Sequence, residues 1–99
     1  MSDDFFALPP FKAQEALRTL ERQLREIRGL APREGVWEIN GKPAVKLALT
    51  ADASAIDSRL VRRPLARPDW DERRLGNAAD VRKFIDTVKS RLASWGDDD

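Results

Sequence analysis

The run Val36-Trp37-Glu38-Ile39-Asn40-Gly41-Lys42-Pro43-Ala44-Val45-Lys46-Leu47-Ala48-Leu49 holds the strongest short-range structural signal in the chain. Two apolar-rich segments, Val36 to Ile39 and Ala44 to Leu49, flank Asn40-Gly41, a dipeptide that tolerates the positive φ angles of a tight turn. The stretch therefore reads as a β-hairpin. Two registers fit it. A two-residue loop sets Val36 opposite Val45, whereas a three-residue loop sets Trp37 opposite Val45 and in line with Leu47 and Leu49. One step between them turns every side chain to the other face. Pro43 has no N–H to give to a ladder, which assigns it to an outward-facing edge or to the turn.

Downstream, residues 51–76 carry competing patterns. Ala53, Ile56, Leu60 and Val61 fit a short helix starting after Asp52, while Ile56, Ser58 and Leu60 alternate as in a strand. We take residues 53–62 as the helix. Pro64 and Pro68 mark Arg63 to Asp69 as a loop, and Trp70 to Leu75, bounded by Gly76, reads as a third strand.

Helices are expected on both sides of this region. From Phe11 to Arg28, Ala13, Leu17, Leu20, Leu24 and Ile27 recur at three- and four-residue steps on one helical face, with Pro10 suited to the first turn and Gly29 to the stop. Arg18, Glu21, Arg22, Arg25 and Glu26 lace the other face, where Glu21/Arg25 and Arg22/Glu26 stand four apart. Leu30 to Gly35 reads as a loop. Near the other terminus Asn77 is an N-cap with Asp80 three residues on, and Val81, Phe84, Ile85, Val88, Leu92 and Trp95 line one side of a helix from Ala78 to Trp95, ended by Gly96. The expected architecture is one α+β domain over residues 1–99. It is a two-layer sandwich in which the N-terminal and C-terminal helices pack a small, mainly antiparallel, three-stranded sheet. Residues 1–4 and 97–99 are acidic ends expected to stay disordered, and residues 5–10 form an apolar arm.

Composition narrows the function classes. At 99 residues and 41% hydrophobic, the chain holds enough apolar material for one core. The absence of cysteine excludes disulfides and thiolate chemistry and fits a cytoplasmic location. No run approaches 18 apolar residues, and Asp3 and Asp4 stand where a signal peptide carries Lys or Arg, so neither a membrane span nor an export signal is expected. The net charge of +1 conceals an asymmetry. Asp3, Asp4, Asp97, Asp98 and Asp99 offset a net +6 over residues 5–96. Arginine outnumbers lysine 13 to 5, which suits phosphate recognition and is equally the product of GC-rich coding.

With no His, Cys or Tyr, the chain lacks the commonest general base, the Ser/His and Cys/His nucleophile pairs and His-ligated zinc. No catalytic residue, cofactor or metal site is assigned. Asp69, Asp71 and Glu72 are the one carboxylate cluster, and Arg67, Arg73 and Arg74 beside them favour a mixed-charge strand edge over a cation site.

Two features point to a partner. Arg59, Arg62, Arg63, Arg67, Arg73 and Arg74 fall within sixteen residues, with Trp70 among them. Such a group suits nucleic acid, where arginines neutralise phosphates and a ring stacks on a base, and it suits an acidic protein surface as well. The ordinary alternative is that Trp70 packs onto the helices and the arginines extend along the rim. The second feature is the arm, whose Phe5, Phe6 and Leu8 can dock in a partner's groove, exchange between the subunits of a homodimer, or fold back onto the first helix. The sequence thus reads as a non-catalytic binding or adaptor domain for a protein partner, without a membrane. The alternative is a nucleic-acid-associated protein using Arg59 to Arg74.

Overall fold

The computed structural model describes residues 11–63, 67 and 69–97. Helix α1 (Ala13–Arg25) is followed by strands β1 (Leu30–Arg33), β2 (Val36–Ile39), β3 (Lys42–Leu49), β4 (Ile56–Val61) and β5 (Trp70–Leu75), then helix α2 (Ala78–Asp97). The five strands form one antiparallel sheet in sequence order, β1-β2-β3-β4-β5. The α+β class and the two flanking helices are as expected, but the sheet has five strands instead of three.

Both additional strands have a local cause. Leu30 to Gly35, read as a loop, contains β1, because Glu34-Gly35 turns the chain with positive φ at both residues (51° and 82°) and lays Leu30 opposite Ile39. Residues 53–62, read as a helix, are a turn followed by β4. Asp52 resembles a helix cap in the sequence, yet its carboxylate accepts hydrogen bonds from the Thr50 hydroxyl (2.7 Å), the Ser54 hydroxyl (2.7 Å) and the Ser54 N–H (3.1 Å). Ala53 takes a φ of 58°, and the Thr50 N–H donates to the Ala55 carbonyl, closing a reversal that aims the chain back along β3. As a strand, Ile56, Ser58 and Leu60 all enter the interior between β3 and β5, which a helix would leave unpaired. Ser58 is the one buried polar residue among those described, and its hydroxyl donates to the Arg73 carbonyl (2.7 Å).

The hairpin resolves its two registers by combining them. Asn40-Gly41 is a two-residue turn with φ of 53° and 79°, pairing Ile39 with Lys42 and Glu38 with Pro43. A β-bulge then adds Ala44, so that Trp37 faces Val45 and Val36 faces Lys46. Pro43 lies next to that bulge, short of the β3 residues that pair with β4.

The apolar sides of both helices meet the sheet in one layer. Leu20 and Leu24 of α1 and Phe84, Ile85 and Val88 of α2 join Trp37, Val45, Ile56, Leu60 and Leu75 in a single core, with Phe11, Leu17, Val81, Leu92 and Trp95 packed at its margin. Fully burying one such side chain contributes about 1.5–3 kcal/mol. At the start of α2 the Asp80 N–H donates to Asn77 Oδ1 (2.8 Å) and the Gly76 N–H to Asp80 Oδ2 (3.1 Å), the expected cap. The helices are bounded slightly differently than expected: α1 is shorter than Phe11 to Arg28, and α2 runs on to Asp97.

The turns give a direct test. Glu34 holds a left-handed backbone that Asn adopts at lower cost, so Glu34→Asn should stabilise the protein by about 0.5–1 kcal/mol. A Cβ at Gly41 would meet nothing within 4 Å, so Gly41→Ala carries only backbone strain and should cost about 1–2 kcal/mol. Urea unfolding reads both, and unchanged midpoints would contradict these turn conformations.

Candidate functional site

Cross-strand partners share a face, so the register sorts the sheet into two surfaces. The helix-covered face carries Val45, Leu47 and Leu49 of β3, Ile56, Ser58 and Leu60 of β4, and Asp71, Arg73 and Leu75 of β5. The other face has no helix against it among the described residues. It presents Val36 and Glu38, Lys46 and Ala48, Asp57, Arg59 and Val61, and Trp70, Glu72 and Arg74.

Charges on this open face are laid out as a ladder. Asp57 and Arg74 are direct cross-strand partners and form an ion pair (3.2 Å), as do Arg59 and Glu72 (2.8 Å). Lys46 stands opposite Arg59, an unfavourable neighbour, and its ammonium lies over the Trp70 ring instead, 5.2 Å from the centroid. Arg33 and Glu38 add a looser pair at 3.9 Å. Trp70 is half-buried beside its cross-strand partner Val61, which exposes no surface. A shallow cavity of about 620 Å³ crosses this face, with Ala48 on its floor and Lys46, Asp57, Arg59, Glu72 and Arg74 around it.

The sequence-defined arginine group is therefore divided. Arg59, Trp70 and Arg74 come together on the open face. Arg62 and Arg73 lie on the helix side, while Arg63 and Arg67 are exposed between β4 and β5. Trp70 faces away from the helices rather than packing onto them. Lys46, Asp57 and Glu38 belong to the open face and carry no local mark of it in the sequence, because their placement depends on the bulge and on β4 being a strand. Phe5, Phe6 and Leu8, the proposed docking arm, lie outside the described residues.

The carboxylates Asp69, Asp71 and Glu72 do not converge. Adjacent strand residues point to opposite faces, so Glu72 meets Arg59 while Asp71 turns towards α2. Among the described residues no three His, Cys, Asp or Glu side chains are grouped to hold a metal ion. Asp71 is instead the centre of a latch. Its two oxygens accept from Arg62 Nε (2.7 Å) and Arg91 Nη2 (2.7 Å), Arg91 Nη1 donates to the Val61 carbonyl (3.1 Å), and Trp95 Nε1 donates to the Arg62 carbonyl (3.1 Å). These bonds fasten the second half of α2 to the ends of β4 and β5. Hydrogen bonds from Arg62 and then Arg91 hold the Asp71 carboxyl below its ordinary range.

Comparison with family models, curated proteins and solved structures gives no match for this chain. No helix of the described residues is long and apolar enough to cross a membrane.

The two shaped carboxylates predict acid sensitivity with a definite sign. Hydroxyls of Ser54 and Thr50 lower the Asp52 pKa to about 2, and Asp71 is lowered by its arginines. A carboxyl depressed on folding stabilises the protein above its unfolded pKa of about 3.9, and that contribution disappears as pH falls towards the folded value. Carboxyl-detected NMR should give a midpoint near 2 for Asp52 and a lowered one for Asp71, with the Asp71 shift relaxing in Arg91→Ala. Ordinary midpoints for both would contradict the turn and the latch.

Proposed function

We propose that this protein is a non-catalytic binding domain that engages a protein partner through the open face of its sheet. The observation that carries this reading is that two helices cover one face while the other, at the centre of β3, β4 and β5, bears alternating charges, an exposed Ala48 and a half-buried Trp70. Exposed ion pairs are worth only about 0–1 kcal/mol each, so Arg59, Glu72, Asp57 and Arg74 can exchange internal partners for those of another protein at small cost. An aromatic ring set among them supplies the apolar anchor that such interfaces use.

The same geometry disfavours nucleic acid as the partner. Arg59 and Arg74 are tied to Glu72 and Asp57, and Arg62 to Asp69 (3.6 Å) and Asp71, so carboxylates are interleaved where phosphates would lie. A binder of nucleic acid presents unopposed basic groups along one surface. Cytoplasmic residence and the adaptor role are part of this proposal and rest on the absence of cysteine and of the common catalytic side chains.

Affinity capture with three baits tests it. The wild-type protein and Lys89→Ala, altered on the outer surface of α2, should retain a shared protein partner, and Ala48→Arg, which fills the open-face cavity, should lose it by tenfold or more. Retention by the Ala48→Arg bait would overturn the open-face reading. Capture abolished by nuclease, with affinity falling steeply between about 50 and 200 mM salt, would replace it with the nucleic-acid alternative.

A further inference from the structure

We propose that two copies of this protein associate through the outer edge of β5, which has no strand partner among the described residues, pairing antiparallel to join their sheets into one. The sheet has two edges, and they are built differently. β1 has four residues, one of them Pro32, which brings no N–H to an edge. β5 has six residues, Trp70 to Leu75, with no proline and no interruption in its register against β4.

The ladder fixes which main-chain groups β5 presents. The Arg62 N–H donates to the Asp69 carbonyl (3.0 Å), so Arg62/Asp69 is a hydrogen-bonded pair and, by alternation, so are Leu60/Asp71, Ser58/Arg73 and Ile56/Leu75. The N–H and C=O groups of Trp70, Glu72 and Arg74 therefore point outward. In an isologous antiparallel pair only these outward residues can form the hydrogen-bonded pairs, which restricts the register to a few choices.

Charge selects among them. With Glu72 on the two-fold axis, Asp71 lies opposite the partner's Arg73 on the helix side, twice by symmetry. Trp70 lies opposite the partner's Arg74 on the open side, also twice. The one like-charged meeting, Glu72 with its counterpart, joins two carboxylates that Arg59 already holds in each copy. Moving the axis to Arg73 sets Glu72 opposite the partner's Arg74, groups already paired with Arg59 and Asp57 in their own copy, and leaves Arg73, which has no ion pair among the described residues, against its own counterpart and Asp71 against a leucine. Charged edges normally repel strand addition, but the order Asp-Glu-Arg-Arg is compatible with its own reversal. Asp71 has acceptor capacity left after Arg62 and Arg91, since a carboxylate offers about four lone-pair sites. Space is available too. Arg73 is exposed on the helix side, and a cavity of about 390 Å³ lies there between β5 and α2, bordered by Asp71, Arg73, Thr87 and Arg91. The pairing adds about six main-chain hydrogen bonds and leaves the open face uncovered.

Sedimentation equilibrium of the full chain between about 10 µM and 1 mM tests this, with amide exchange followed over the same range. The mass should rise from 11.2 kDa towards twice that value. The amides of Trp70, Glu72 and Arg74 should gain protection together with the mass. Arg73→Asp sets aspartate against Asp71 at two symmetric positions and should weaken the dimer by about tenfold or more. Its side chain is exposed, and the contact that Ser58 makes is to its main-chain oxygen, so the far-ultraviolet spectrum should be unchanged. A monomer at 1 mM would overturn the proposal. So would a dimer that leaves those three amides unprotected or is indifferent to Arg73→Asp.

Discussion

The extra residue that β3 carries against β2 determines which side of the sheet becomes the interior. Without the bulge at Ala44, the Asn40-Gly41 turn would set Trp37 opposite Ala44 and Val36 opposite Val45, and the largest apolar group of the hairpin would fall out of step with Val45, Leu47 and Leu49. With it, Trp37 and Val45 face the helices together, and Val45 passes that alignment to Leu60 in β4 and on to Asp71 in β5. Few large apolar side chains are available to this sheet, so a register that wasted Trp37 would remove a large share of the burial that offsets chain entropy.

The chemistry of the open face follows from the same alignment. Once the apolar residues of β3 and β4 are turned inward, Lys46, Asp57, Arg59, Glu72 and Arg74 are obliged to share the outer surface. Their order across the strands lets all but Lys46 find an opposite charge, and Lys46 finds the Trp70 ring. The Asp71 latch works from the other side. Its hydrogen bonds to Arg62 and Arg91 fasten α2 over the end of the sheet, on the face opposite the charge ladder.

Both helices were readable from apolar spacing at a period near 3.6, and the hairpin from Asn40-Gly41, because each signal is local. What was not readable depended on neighbours. β4 contains Leu60-Val61, adjacent apolar residues that imitate a helix, yet Val61 is buried from the open side in register with Trp70, while Leu60 is buried from the helix side. Asp52 carries the sequence mark of a helix cap and uses the same oxygens to close a turn. β1 is hidden by Pro32 and by a turn that uses Glu where Asn is favoured. At the candidate site, the arginines and Trp70 could be picked out by composition. Their division between two faces could not, since a single step in register exchanges the faces.

Trp37 lies under the helices and Trp70 does not. Nuclear Overhauser contacts from the two indole rings of the labelled protein measure this directly. The Trp37 ring should show contacts to methyl groups of Leu20, Leu24 or Ile85 and a cross-strand contact to Val45, and the Trp70 ring contacts to Lys46 and Val61. Contacts from the Trp70 ring to Val88 or Leu92 of α2, or a cross-strand contact between Val36 and Val45, would contradict it.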